Sequence, residues 1–146
     1  MIDDHMQQWL KLQMPFSIIM LDLDHFKAIN DEFGHPKGDE VLQFLAQVIQ
    51  KEVRSGDVCC RLGGEEFMIL QPYATEEHAH RIAERIRHTM NQTLSPVGRS
   101  VTLSLGIASY PSCAVDKDTL IQIADNALYE AKRRGRNQTV SHSQIH

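Results

Sequence analysis

Two acidic pairs carry the strongest chemical suggestion in this chain. Asp22 and Asp24 flank Leu23 where an apolar run ends, and Glu65 and Glu66 follow directly on Gly63-Gly64. Carboxylates that converge repel one another, so a shared site needs a proton, a cationic side chain or a metal ion to hold it together. Donor sets made only of oxygen favour Mg2+ or Mn2+ over zinc. The same spacing equally suits turn and strand-end acids that merely face water. Lys132 and Arg136 lie beside Gly135 at the end of an amphipathic run, a pattern that also fits a solvated helix end. Asp39 reads as a helix N-cap ahead of Val41, and Arg54 with Asp57 reads as a helix-end ion pair. His78, His80 and His88 never give an i, i+4 ligand pair, so structural or solvated roles are expected for them.

The elements that must position these groups follow from periodicity. Phe16 to Leu21 is a continuous apolar stretch running into Asp22-Leu23-Asp24, which predicts a buried strand with carboxylates at its end. Val41, Leu42, Leu45, Val48, Ile49 and Val53 recur at helical spacing and predict a helix from Asp39 to Arg54. Val58 to Leu62 and Glu65 to Gln71 flank Gly63-Gly64, which predicts an antiparallel hairpin turning on the two glycines. A helix follows from Thr75. Beyond it Val101 to Ala108 alternate as a strand with one large-residue and one small-residue face, whose small side leaves room for a neighbour. Leu120 to Ala131 predict a last long helix, and a short strand is expected near Gln138 to Val140. With an amphipathic helix through about Leu12 at the start, the order contains a split β-α-β-β-α-β arrangement.

One domain is expected from 146 residues, of which 42% are apolar and 23% charged. A net charge of -4 gives no electrostatic hold on a duplex, so nucleic-acid backbone binding is disfavoured. Three cysteines, Cys59, Cys60 and Cys113, lack the spacing of zinc or redox pairs and suit a reducing, cytoplasmic setting. No run is long and apolar enough to be a signal peptide or a membrane span, so no membrane insertion is expected within the chain. The segment 141–146 is polar and reads as a frayed tail.

The run from Asp22 to Asp39, taken with Arg61-Leu62-Gly63-Gly64-Glu65-Glu66-Phe67, resembles the GGDEF family of diguanylate cyclases. These enzymes condense two GTP molecules into cyclic di-GMP, and Gly-Gly-Glu-Glu-Phe is an accepted variant of their name motif. Ser104 to Ala108, Ala124-Asp125, Leu128 to Lys132 and Gly135-Arg136-Asn137 are similar to later family motifs, so the resemblance spans about 16–137. It implies an α+β fold, a mainly antiparallel five-stranded sheet flanked by helices, similar to nucleotide cyclase and polymerase palm domains.

The resemblance also implies roles. Asp22, Glu65 and the carbonyl of Leu23 correspond to the metal ligands, with Mg2+ or Mn2+ as cofactor. Asp24 corresponds to a second metal ligand or a supporting acid, and Glu66 to a proton acceptor. Asn30 and Asp39 match guanine contacts, and an amide plus a carboxylate complements the guanine edge in a way adenine does not. Phe26, Lys27, Gly63, Gly64, Lys132 and Arg136 match positions around the nucleotide, the glycines letting it approach the hairpin backbone. Arg54-Ser55-Gly56-Asp57 stands five residues before Gly63 and matches an inhibitory product site, with Arg61 as an additional contact. Since one site takes one GTP, a transient or weak homodimer is implied. The alternative from another class is a non-catalytic module that binds GTP or cyclic di-GMP and regulates a partner. His25 stands where the family favours an aromatic residue. The family's opening Asp-x-Leu-Thr-Gly-Leu-x-Asn-Arg segment is missing, so the chain reads as a catalytic domain, 1–146, excised from a longer protein with a sensory region before Met1 and any membrane anchor outside it.

Overall fold

A computed structural model describes residues 2–145. The first strand, β1 (Phe16–Leu23), is buried along its whole length and runs through the middle of a five-stranded sheet. Helices α1 (Ile2–Lys11), α2 (Phe26–Phe33) and α3 (His35–Glu52) bracket it in sequence, and β2 (Val58–Gly63) and β3 (Glu66–Pro72) form the hairpin. Then come α4 (Glu76–Gln92), β4 (Leu103–Tyr110), α5 (Lys117–Arg133) and β5 (Gln138–Ser141), with a 3-10 turn over His142–Gln144. The order across the sheet is β2-β3-β1-β4-β5. Every pairing is antiparallel except β4 with β5, which is parallel. The expected α+β class and mainly antiparallel sheet are therefore observed, with one parallel edge.

Alternation along β1 builds two apolar layers. Ile19, Leu21 and Leu23 meet α3 and α4, while Ile18 and Met20 meet Met6 and Trp9 of α1 and Leu120, Ala124 and Leu128 of α5. The small face of β4 makes room for α5 itself: a Cβ on Gly106 would run into the backbone of Ala124, Ala127 and Leu128. The absent side chain lets α5 settle onto the sheet beside the end of β1.

Three expectations are corrected. The helix expected from Asp39 begins at His35, because Gly34 at φ 89° ends α2 and Pro36 suits the first turn of α3. Asp39 therefore lies within the helix, and N-capping falls to Gly34. The hairpin turns on Gly64-Glu65, since Gly63 pairs with Glu66 after an irregularity between Arg61 and Gly63. The polar end is tied down at its start: Ser141 is buried in β5 and exchanges hydrogen bonds with Gln144 in a capping box, while Ser143 and Gln144 stay exposed. His146, the last residue of the expected tail, and Met1 lie outside the described residues.

Candidate active site

Strand pairing sets Glu66, Asp22 and Ser104 side by side across β3, β1 and β4, on the face that α5 covers. Asp22 is the buried carboxylate of the three, 5% exposed, beside a fully buried Ser104. Lys132, the penultimate residue of α5, donates from Nζ to Asp22 Oδ2 and forms an ion pair with it. Oδ1 of the same carboxylate is buried and has no hydrogen-bond partner. Burial pushes the Asp22 carboxyl above its usual range against the pull of Lys132, and Glu65 and Asp24 add to the upward push.

A cavity of about 180 Å³ opens at this point, lined by Asp22, Leu23, Asp24, His25, Phe26, Lys27, Glu65, Lys132 and Arg136. A second cavity of about 310 Å³ shares Asp22 and Glu65 and is walled by Leu62, Gly63, Gly64 and Glu66 of the hairpin tip. The two acidic pairs thus converge as the sequence suggests. The floor of the first cavity is the start of α2. His25 takes a left-handed conformation at φ 58° so that the chain turns directly from strand into helix, and no side chain caps the helix start. The first backbone N–H groups of α2 therefore have no intrahelical partner and suit an anion.

The donor set fits a hard divalent ion. Asp22, Glu65 and Leu23 border one cavity together with Asp24, and the orphaned Oδ1 of Asp22 is a buried carboxylate oxygen with no hydrogen-bond partner. Among the described residues no three His, Cys, Asp or Glu side chains converge as a metal-holding group.

Asp24 is engaged differently. Ser104 Oγ donates to its Oδ1 at 2.6 Å, and Thr102 Oγ1 and the Asn137 N–H donate to Oδ2 at 2.7 and 3.0 Å. Both oxygens are taken, and the carboxylate ties the end of β1 to β4 and to the turn after α5. Glu66 is half-buried, and its carboxyl is held above the usual range by burial, then by Asp125 and Asp22.

Asn30 sits where α2 crosses α3. A Cβ on Gly38 would collide with its Oδ1, so the glycine is what admits this amide between the helices. That Oδ1 is buried without a hydrogen-bond partner. Asp39 is exposed one residue further on and lines a cavity of about 470 Å³ with Leu42, Gln43, Ala46, Arg61 and Phe67. Phe26 is buried with its ring in the core on the α3 side, whereas Lys27 is exposed.

Arg54 and Asp57 form a unit away from this cavity. Asp57 accepts from the Arg54 N–H at 2.8 Å and from Gln71 Nε2 at 3.0 Å, and Arg54 Nη2 donates to the Pro72 carbonyl at 3.0 Å. The Asp57 side chain is only 1% exposed while that of Arg54 is 46% exposed, so Asp57 orients an arginine that faces solvent. Arg61 is not brought to this pair. Its Nε donates to the Gly64 carbonyl at the tip of the hairpin, roughly 20 Å along the strands from Pro72.

Sequence reading placed Ser104, Asp125 and Asn137 in family-like motifs but missed what they do: Ser104 and Asn137 join Thr102 as donors on Asp24, Asp125 adds to the upward push on the Glu66 carboxyl, and Arg87 joins Glu84 to Asn137 in a fork. The fork had a local signal of its own, the i, i+3 spacing of Glu84 and Arg87.

The family model described as "Diguanylate cyclase, GGDEF domain" matches residues 1–138. Diguanylate cyclase DosC of Escherichia coli (strain K12) is 46% identical over 127 residues, covering 85% of this chain and 28% of the relative. The chain spans 28 to 35% of the length of the first curated relatives it matches. The active GGEEF domain of a diguanylate cyclase from Vibrio cholerae superposes with a TM-score of 0.88 at 36% identity, over 97% of this chain and 92% of that one. The GGDEF domain of DgcB from Caulobacter crescentus, solved in complex with c-di-GMP, gives 0.86 at 28% identity over 97% and 88%.

Proposed function

The chain belongs to the GGDEF family of diguanylate cyclases, and on that premise we propose that it condenses two GTP molecules into cyclic di-GMP with release of pyrophosphate. The observation that carries this reading is the buried, unpartnered Oδ1 of Asp22 in a cavity shared with Glu65, Lys132, Arg136 and the uncapped start of α2. It joins an anionic donor with cations and N–H groups, the mixture a metal triphosphate needs.

Asp22, Glu65 and the Leu23 carbonyl are the groups that would hold Mg2+ or Mn2+. Such an ion, when bound, would offset triphosphate charge and polarise the phosphorus under attack. Lys132, already charge-paired with Asp22, has a phosphate oxygen as its second anion, and Arg136 and the α2 amides receive the remaining oxygens. Lys27 adds a cation at the same helix start. Asn30 and Asp39 read the guanine edge, the orphaned Oδ1 of Asn30 being free to accept from it. Gly63 and Gly64 let the nucleotide lie against the hairpin. Glu66, whose carboxyl holds its proton more tightly than usual, is suited to accept the proton of the attacking 3'-hydroxyl. Asp24, with both oxygens occupied, secures the turn that carries these groups. Each 3'-hydroxyl attacks the α-phosphate of the other GTP, so two chains face each other as a weak homodimer. Arg54, oriented by Asp57, binds the product and mediates inhibition.

The test is substitution of the two carboxylates. With GTP and Mg2+, Asp22→Asn and Glu65→Gln should each lower turnover at least about 100-fold while the fold is retained. Full activity in either variant would remove the metal assignment.

A further inference from the structure

Arg136 is the one cation of the cavity that lies outside a helix, and it stands in an unusual stretch of chain. Gly135, Arg136 and Asn137 follow one another at φ 116°, 64° and 48°, so two residues with side chains occupy the left-handed region in succession. Left-handed backbone at a residue bearing a Cβ persists only where neighbours over-determine it. The Arg136 N–H is held by the Ala131 carbonyl at 2.9 Å, and its own carbonyl accepts from Gln138 Nε2 at 3.1 Å. Asn137 is clamped from two sides. Its N–H donates to Asp24 at 3.0 Å, and its Oδ1 accepts from Arg87 Nη1 at 3.1 Å.

Arg87 lies on α4 and does not line the cavity. Its Nε and Nη2 fork onto Glu84 at 2.7 and 2.9 Å, which leaves Nη1 aimed at the turn. Glu84 is fixed in turn by Thr139 Oγ1 at 2.7 Å, so the fork bridges α4 to β5 across the base of the turn. A bidentate guanidinium–carboxylate pair fixes direction as well as distance. From this geometry we infer that Arg87, set by Glu84, is a positioning residue for the nucleotide phosphates, acting through Asn137 to hold the left-handed turn that presents Arg136. The role rests on the reading of this cavity as a GTP site.

The consequence is a specific coupling. Removing Arg87 frees Asn137 on one side and lets the turn relax, which costs affinity only to the extent that Arg136 contributes it. The test is a double-mutant cycle with 3'-deoxy-GTP and Mg2+, a ligand that lacks the attacking hydroxyl and so reports binding without turnover. By titration calorimetry, Arg87→Ala should weaken binding about tenfold, and in an Arg136→Ala background the same substitution should change it less than about twofold. Glu84→Gln, nearly isosteric, provides a gentler second probe. It should cost about threefold with Arg136 present and nothing measurable without it. Thermal melting, in contrast, should fall equally in both backgrounds, because the α4 to β5 bridge is lost in each. Wild-type affinity in both Arg87→Ala and Glu84→Gln, or losses that multiply in the double variants, would overturn the role. Failure of the wild-type chain itself to bind 3'-deoxy-GTP would overturn the GTP reading and this role with it.

Discussion

Asp22 and Asp24 are two residues apart and do opposite work. Asp22 keeps an unpartnered oxygen in a buried site, whereas Asp24 is saturated by Thr102, Ser104 and Asn137. Their substitutions should separate accordingly. Asp22→Asn removes an anion that burial already disfavours, so urea denaturation should show stability within about 1 kcal/mol of wild type, or higher, despite lost turnover. Asp24→Ala leaves three donors unsatisfied and should cost about 3 kcal/mol or more by the same measurement. Equal destabilisation of the two would contradict the division of roles. The sequence showed these acids at one strand end but not which was free. The distinguishing donors lie about eighty and more residues away in the chain, and only the β1–β4 pairing and the turn after α5 bring them to Asp24.

At the scale of elements, α5 carries Lys132 and the turn with Arg136, and its seat on β4 is made by Gly106. Gly106→Ala puts a methyl group against the α5 backbone and should cost about 1–3 kcal/mol, with weaker GTP binding because Lys132 moves away from Asp22. The bridge from α4 to β5 has its own signature. The Arg87 guanidinium, and then Thr139, hold the Glu84 carboxyl below its usual range, so its contribution is complete above the ordinary glutamate pKa and is lost as pH falls through the depressed folded value. The stability gap between wild type and Glu84→Gln, followed by denaturation from pH 7 to pH 3, should narrow only at the acid end. A gap that widens on acidification would reverse that assignment.

β1, β2 and β3 were legible because each is a short, largely apolar run bounded by turn residues, and β4 because its two faces differ in size. The boundaries were less so. Helix periodicity locates buried residues, and the first turn of α3, from His35 to Lys37, is exposed, so its start carried no apolar mark. Gly34 followed by Pro36 was the available signal. The hairpin register depends on an irregularity that side-chain pattern does not encode, and the C-terminal turn is held by Gln144 reaching back to Ser141 and by Glu76 accepting from the Ser143 N–H.

For the whole molecule, the proposed condensation of two nucleotides held on separate chains would require assembly. Specific activity should therefore rise with protein concentration in the dilute range, and cyclic di-GMP should inhibit, with Arg54→Ala relieving inhibition while leaving GTP binding intact. Equal product sensitivity in wild type and Arg54→Ala would place inhibition elsewhere. The most direct measurement of the account is chromatography of the products formed from GTP and Mg2+ over a series of protein concentrations, with Asp22→Asn alongside. The expected result is cyclic di-GMP with two pyrophosphates per molecule, appearing at a rate that climbs faster than linearly with dilute wild-type protein and absent from the variant. Intact GTP at every concentration, or equal product from Asp22→Asn, would contradict it.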